Sequence, residues 1–250
     1  MKKIIIANWK MSPSSLKEAE SIFAKVRSKA AKLRGVETVI APPFIYLPLL
    51  KSRGRIKLAA QDVAQNDDGP WTGEISAKML KGVGATYAII GHSERRELGE
   101  SDDIIREKLY QSLSRGIKSI LCVGEKEKSQ EAFPHIVREQ IKKALKGTPR
   151  YFASKIIIAY EPVWAISSHS KGRADTPQNF FEMSIFIRRT VLDVWGKSAA
   201  LRLPIIYGGS VNTKNAKGFL EIKGGAGILV GKASLDAKEF NKILEIANSI

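Results

Sequence analysis

The chain has 250 residues, and 41 Lys and Arg against 25 Asp and Glu give it a formal net charge of +16 at pH 7. Apolar residues make up 44% and aromatic residues 8% of the sequence, which is enough for a full hydrophobic core and excludes an intrinsically disordered chain. A single cysteine, Cys122, excludes an internal disulfide and favours a reducing compartment such as the cytoplasm.

The positive charge by itself is compatible with a nucleic-acid binder, with attraction of an anionic small molecule, and with a basic, well-solvated surface. Basic residues are scattered over segments such as 25–34, 51–57 and 142–146, and no zinc finger, basic region or aromatic-rich RNA motif accompanies them. We therefore expect no nucleic-acid partner. The apolar run of residues 4–6 is too short for a signal peptide or a membrane span, so we expect a cytoplasmic protein without a membrane partner.

Eight short apolar runs recur along the chain, with little polar alternation, as in parallel strands that are buried on both faces. In chain order they are residues 3–7, 37–41, 57–60, 87–90, 119–123, 155–160, 204–207 and 227–230. The segments between them carry apolar residues at three- and four-residue spacing, as in 16–30, 136–145 and 240–247, which predicts amphipathic helices.

Eight strand–helix units in 250 residues predict an α/β protein with a single domain, a (β/α)₈ barrel over residues 1–250. The alternative is a doubly wound open sheet. Against it, no Gly-x-Gly-x-x-Gly motif follows the first strand, where a dinucleotide-binding fold would carry it.

Reacting groups of such barrels lie at the carboxyl ends of the strands. Each candidate alone has an ordinary structural explanation, such as a loop cap or a surface lysine. Together, an imidazole, a carboxylate, an ammonium and two glycine-containing turns that lead into helices indicate acid–base chemistry on a small phosphorylated molecule. Neither a metal nor a redox cofactor is expected, since the carboxylates are not clustered and the histidines are not paired. The candidates are Asn8, Lys10, His92, Glu161, Ser210 and the turn 231–233.

Several motifs spread over the whole chain resemble those of the triosephosphate isomerase family. They are Ala-Asn-Trp-Lys-Met at 7–11, Gly-His-Ser-Glu-Arg-Arg at 91–96, Cys-Val-Gly-Glu at 122–125, Ala-Tyr-Glu-Pro-Val-Trp-Ala-Ile at 159–166 and Tyr-Gly-Gly-Ser-Val at 207–211. The resemblance implies a cofactor-independent isomerase of glycolysis and gluconeogenesis. Its reaction would interconvert dihydroxyacetone phosphate and D-glyceraldehyde 3-phosphate through an enediolate.

The resemblance also implies catalytic roles for four residues. Glu161 would be the base that moves the proton, and His92 a neutral electrophile at the start of a helix, the pairing for which this family is the standard example. Lys10 would neutralise the enediolate and phosphate charge, and Asn8 would orient the substrate. Glu94 would hold Lys10 in one state of the cycle.

Phosphate binding and support are implied in the same way. Ser210, Gly231 and Lys232 would bind the phosphate together with Asn8 and Lys10, and Ser167 would offer its backbone N–H. Trp164 resembles the hinge of the family's flexible lid, and Tyr207 is an expected partner of that lid. Cys122 is expected to be a packing residue.

Two features depart from the family pattern. The lid usually reads Ala-Ile-Gly-Thr-Gly-Lys-x-Ala-Thr-Pro, whereas here ten residues in place of seven separate Ala165 from Thr176, and Ser167 replaces a glycine. Lys232 stands where a second glycine is common. The altered lid motivates the alternative of a catalytically impaired barrel that only binds a phosphorylated metabolite. Arg95 and the segment 65–75 resemble parts of the family's dimer, which implies a homodimer.

Overall fold

The computed structural model describes residues 2–50, 54–128, 133–166 and 175–250. Eight parallel strands pair in chain order and close into a barrel, with Ile4 of the first strand opposite Gly227 of the last. The barrel prediction is confirmed, and each predicted strand ends within two residues of an observed one. The strands are β1 Lys3–Asn8, β2 Val36–Ala41, β3 Ile56–Ala60, β4 Tyr87–Ile90, β5 Lys118–Val123, β6 Ile156–Tyr160, β7 Ile205–Tyr207 and β8 Gly225–Val230.

The α-helices of the described residues surround the barrel. Several begin at a side chain that accepts a backbone N–H of the first turn, as Ser15 does from Glu18 and Thr176 from Asn179. They are α1 Leu16–Ala30, α2 Ala77–Gly82, α3 Ser93–Glu97, α4 Asp102–Ser114, α5 His135–Leu145, α6 Pro177–Trp195, α7 Lys197–Arg202, α8 Ala216–Leu220 and α9 Ala237–Asn248.

The second strand–helix unit departs from the expected repeat. In its described part the connection from β2 to β3 carries a 3₁₀ helix, Phe44–Tyr46, in place of an α-helix. Pro42, Pro43 and Pro48 explain the difference, because proline lacks the N–H that an α-helix interior needs and its ring clashes with the preceding turn.

The hydrophobic core has two layers. The larger layer lies between the strands and the surrounding helices, and the smaller one fills the barrel with side chains such as Ile6, Ile89 and Leu229. Cys122 belongs to the inner layer and is fully buried, in keeping with a packing role. Because the interior is filled, the open end at the carboxyl ends of the strands is where a ligand can enter.

Candidate active site

Lys10 is held at the rim in a strained conformation. It follows β1 with a φ of 52°, a region that non-glycine residues seldom adopt. Two neighbours fix it there: its N–H donates to Asn8 Oδ1 at 3.1 Å, and the Gln61 side-chain amide donates to its carbonyl oxygen at 2.8 Å. The ammonium lies 2.5 Å from Glu94 Oε1, the partner that the resemblance implied.

His92 is the residue that precedes α3. Its Nδ1 accepts the backbone N–H of Glu94 at 3.2 Å. An imidazole nitrogen that accepts a hydrogen bond carries no proton, so the ring in this arrangement is neutral and bears its proton on Nε2. The residue is buried and lines the cavity at the barrel mouth, and its Nε2 lies 3.6 Å from Glu161 Oε1.

Glu161 follows β6 and is only 2% exposed. Its Oε2 accepts the backbone N–H of Ser93 at 3.2 Å, and its Oε1 lies 3.6 Å from His92 Nε2. Glycine is required around it: a Cβ on Gly208 would lie 2.7 Å from Glu161 Cγ, and one on Gly124 only 1.8 Å from the Glu161 carbonyl oxygen. The carboxylate thus occupies a fitted slot beside the imidazole.

A cavity of about 410 Å³ lies at this end of the barrel. Glu161 contributes to a neighbouring cavity of about 350 Å³, which it lines together with Ser93 and Cys122. Burial, and after it the nearby Glu161 carboxylate, raises the pKa of the Cys122 thiol well above its usual value, so this cysteine is not a nucleophile at neutral pH. The larger cavity is lined, among others, by Asn8, Lys10, His92, Glu94, Ser210, Gly231 and Lys232.

The far side of the larger cavity is built from the turns after β7 and β8. Gly208, Gly209 and Ser210 form the first turn, and Lys232 starts a short 3₁₀ helix, Lys232–Leu235, directly after Gly231. The Lys232 side chain is exposed although the residue lines the cavity. Backbone N–H groups of such turns and an ammonium suit a phosphate dianion.

Glu125 is a functional candidate that the sequence reasoning missed. Its Oε1 accepts from the Tyr160 hydroxyl at 2.8 Å and from Trp164 Nε1 at 2.7 Å, and the backbone N–H of Val163 donates to its carbonyl oxygen. Burial raises the pKa of the Glu125 carboxyl, although the two side-chain hydrogen bonds act the other way. Its place two residues after the end of β5 was the available signal, under the same rule that selected Glu161 after β6.

The remaining predicted residues divide into two groups. Trp164 and Tyr207 are buried beside the site. Trp164 donates a hydrogen bond to Glu125, and the Tyr207 hydroxyl packs against Gly209. Ser167 and the other residues of the inserted segment 167–174 lie outside the described residues. Within residues 2–50, 54–128, 133–166 and 175–250, no group of three or more His, Cys, Asp or Glu side chains could hold a metal ion, and no helix is long and apolar enough to cross a membrane.

The fold and this rim place the chain among the (β/α)₈-barrel enzymes whose site is built for acid–base chemistry. The sequence model of the triosephosphate isomerase family matches residues 3–247. Among curated relatives named triosephosphate isomerase, that of Aquifex aeolicus is 42% identical over 251 residues and covers 98% of this chain and 99% of its own length. Those of Fusobacterium nucleatum and Thermus thermophilus are 39% and 40% identical, each covering 99% of this chain and all of its own.

The chain therefore belongs to the triosephosphate isomerase family. It is an isomerase, and the reaction of its family is the interconversion of dihydroxyacetone phosphate and glyceraldehyde 3-phosphate in glycolysis.

Proposed function

We propose that Asn8, Lys10, His92 and Glu161 carry out this interconversion, with Ser210, Gly231 and Lys232 holding the phosphate. The observation that supports the proposal most directly is the 3.6 Å approach of Glu161 Oε1 to His92 Nε2 at the mouth of the barrel. A base and a hydrogen-bond donor so close together can act on adjacent carbon and oxygen atoms of one small substrate.

Glu161 is the base in this proposal. Its carboxylate removes a proton from C1 of dihydroxyacetone phosphate, the C–H electron pair becomes the carbon–carbon double bond of the enediolate, and the carbonyl oxygen takes the negative charge. The hydroxyl proton on the C1 oxygen then moves to the C2 oxygen, so that the negative charge lies on the C1 oxygen. Glu161 returns its proton to C2, the electron pair of the double bond forms the new C2–H bond, and the C1 oxygen becomes the carbonyl oxygen of the aldehyde. To reach the substrate, the carboxylate gives up its hydrogen bond to Ser93 and turns into the larger cavity.

His92 stabilises the charge on oxygen. Its Nδ1 is occupied by the Glu94 N–H, so Nε2–H is the group that donates to the substrate oxygens. A neutral donor beside a negatively charged base avoids a fixed ion pair that would lower the basicity of Glu161.

Lys10 supplies positive charge to the same oxygens and to the phosphate. In the structure its ammonium is paired with Glu94, which is partly exposed. When the substrate arrives, the dianion replaces Glu94 as the partner of Lys10, and Asn8, whose Oδ1 accepts the Lys10 N–H, keeps the strained backbone in place.

A coupled isomerase assay of Glu161→Gln tests the assignment of the base. Loss of a positioned base lowers kcat by roughly 10²- to 10⁴-fold, and Gln keeps the size of the side chain. Glu20→Gln, on the exposed face of α1, is the matched control and should retain wild-type activity. Equal activity of Glu161→Gln and the wild type would overturn the assignment, and a wild type without isomerase activity would favour a barrel that only binds.

A homodimer is the second part of the proposal. Large apolar side chains are exposed on the connections after four adjacent strands, β1 to β4: Met11 (96% exposed), Ile45 (71%), Trp71 (49%) and Leu98 (76%). Adjacent strands place these side chains on one part of the rim, and an exposed apolar patch of this kind is typical of a protein interface. Met11 follows Lys10 directly, so the interface would adjoin the catalytic ammonium.

Sedimentation equilibrium measures the assembly. The wild type should have about twice the mass of the 27.6 kDa chain, and Leu98→Arg should shift it towards the monomer by placing a charge in the interface. Leu201→Arg is the control, because Leu201 is 64% exposed on α7, outside this patch. A monomeric wild type at micromolar concentration would contradict the dimer. A cytoplasmic location belongs to the same proposal and is supported by the free, buried Cys122.

A further inference from the structure

A second cavity, of about 350 Å³, lies beside the substrate cavity and, within the described part of the chain, has no lining residue in common with it. Its lining ranges from exposed residues, Ile136 (49% exposed) and Lys126, to the buried Cys122 (0%) and Glu161 (2%). The cavity therefore leads from the protein surface to the proposed base. Its volume lies within the range of small-molecule sites.

Apolar side chains and a fixed backbone segment form the walls of this second cavity. Val123, Ile136 and Val163 contribute apolar surface. The Gln140 side chain holds Gly124 by two hydrogen bonds: its Oε1 accepts the Gly124 N–H at 2.9 Å, and its Nε2 donates to the Gly124 carbonyl oxygen at 3.1 Å. The wall is thus preformed, so a ligand does not have to order it on binding.

Hydrogen-bond acceptors lie at the inner end of the second cavity. Glu161 Oε2 accepts the Ser93 N–H at 3.2 Å, whereas Glu161 Oε1 and Ser93 Oγ are buried and have no hydrogen-bond partner among the described residues. An ionised carboxylate can only accept hydrogen bonds, and each of its oxygens has two lone pairs. The inner end therefore suits a ligand group that donates a hydrogen bond.

The charges around the second cavity favour a neutral ligand. The Glu161 carboxylate disfavours an anion, and Arg96 does not offset it, because its guanidinium pairs with Asp102 at 2.7 Å. Glu97 and Lys126, both exposed, have opposite charges and together favour neither sign. A cation would have to leave water for apolar walls, a cost that pairing with one buried carboxylate does not outweigh.

We propose that the second cavity is a ligand site for a small neutral molecule with an apolar body and one hydrogen-bond donor. The occupant stabilises the retracted position of Glu161, in which the carboxylate accepts from Ser93 and lies outside the lining of the substrate cavity. The inference rests on the proposed role of Glu161 as the base, which has to leave this position to reach the substrate. Ligand and substrate therefore favour different positions of one side chain and oppose each other's binding.

Indole, a bicyclic apolar molecule with one N–H, is the probe, and benzofuran, of the same shape but with an oxygen in place of the N–H, is its matched partner. Titration calorimetry measures the binding of both. Ile136→Trp fills the exposed end of the cavity, and Ile136→Phe makes a smaller change of the same kind in case tryptophan destabilises α5. Ile185→Trp is the control, because Ile185 is 53% exposed on α6 and outside the cavity lining.

The wild type and Ile185→Trp should bind indole with a dissociation constant of about 1 mM, a value typical of so small a ligand. Benzofuran should bind about three- to tenfold more weakly, because it lacks the donor. Ile136→Trp should weaken indole binding about tenfold or more by filling its space, with kcat unchanged. Indole should raise the wild-type KM for dihydroxyacetone phosphate without changing kcat, and should do so much less in Ile136→Trp.

Three outcomes would overturn the inference: no binding of indole to the wild type, undiminished binding by both Ile136 variants, or equal binding of indole and benzofuran. Binding of indole without any rise in KM would show that the occupant does not hold Glu161 in the retracted position. Failure of the proposed base is a separate result, since it appears as full activity of Glu161→Gln, whereas the calorimetric titrations require no reaction.

Discussion

Glu161 and Ser93 are joined by a hydrogen bond of 3.2 Å from the Ser93 N–H to the carboxylate, and this bond keeps the proposed base in the neighbouring cavity, outside the lining of the substrate cavity. The other carboxylate oxygen, Oε1, is buried without a hydrogen bond to the described residues, 3.6 Å from His92 Nε2. A buried carboxylate with an unsatisfied oxygen is readily displaced towards a better partner, because leaving the oxygen unpaired costs free energy. The structure thus holds the base ready to move.

Gly208→Ala should disturb this base directly. The added Cβ would lie 2.7 Å from Glu161 Cγ and 3.2 Å from the Tyr160 carbonyl oxygen, closer than atoms pack, so the Glu161 side chain has to shift. A shift of this kind misplaces the proton-transfer group, and we expect kcat to fall by about tenfold or more. Steady-state kinetics with both substrates measures it.

Gly82→Ala is the matched control for that variant. Gly82 has open space around its missing Cβ and lies at the end of α2, so the change should leave kcat unaltered. A Gly208→Ala enzyme with wild-type kcat would show that the packing around Glu161 does not fix the position of its side chain.

Lys232→Gly should weaken the salt dependence of substrate capture. The exposed Lys232 ammonium at the cavity adds positive charge where a dianion binds, and salt screens such charges. We expect the wild-type KM to rise with ionic strength and the KM of the variant to rise less steeply. Lys238→Ala, exposed on α9, should keep the wild-type slope. Parallel slopes for Lys232→Gly and the wild type would exclude a role in phosphate attraction.

The sequence was sufficient for the barrel and for which residues surround its mouth. Strands buried on both faces are continuous apolar runs, so their positions could be read within two residues. Once the strands are placed, the barrel rule puts Lys10, His92 and Glu161 on one rim, because the carboxyl ends of all parallel strands meet there. The second unit was mispredicted in detail, since its prolines replace an α-helix by a 3₁₀ helix.

The direction in which each side chain at the rim points could not be predicted from the sequence. The φ of Lys10, the bond between Glu161 and Ser93, and the place of the Tyr207 hydroxyl against Gly209 depend on packing between segments far apart in the chain. Glu125 was missed because its partners, Tyr160 and Trp164, lie 35 and 39 residues away and contact it only after β5 and β6 pair.

Lys108→Met should destabilise the fold strongly. The Lys108 ammonium is buried between Asp62, at 2.6 Å, and Glu100, at 2.5 Å, and Arg95 contacts the same two carboxylates. Burial raises the pKa of Asp62, whereas at Glu100 the effect of burial is outweighed by Lys108 and Arg95, which lower its pKa. Removing one partner of a buried ionic network costs about 3–5 kcal/mol.

Urea unfolding measures that cost, with Lys142→Met on the exposed face of α5 as the control. The network also holds Arg95, a residue of the implied dimer region, so Lys108→Met should in addition weaken the dimer in sedimentation. A loss below about 1 kcal/mol, the range of exposed ion pairs, would mean that the network is not a stabilising feature.

Glu125→Gln should change how stability depends on pH. Burial raises the pKa of Glu125 in the folded protein, so the folded state binds a proton here more tightly than the unfolded state does. The stabilisation from this carboxyl is fully present below its unfolded pKa of about 4.3, and it is lost as the pH rises through the higher folded value. Gln cannot ionise, and its Oε1 can still accept from Tyr160 and Trp164.

The difference between the melting temperatures of the two proteins, compared from pH 4 upwards, reports on this group together with its repulsion from Asp175, because the other titrating groups are common to both. The wild type should lose stability relative to Glu125→Gln as the pH rises above about 4.3, with no further change once the carboxyl is fully ionised. Asp175, whose pKa burial also raises, titrates in both proteins and sits close enough to Glu125 for each charge to disfavour the other. A melting-temperature difference that stays constant with pH, or that moves in favour of the wild type, would show that ionisation of Glu125 does not destabilise the folded protein.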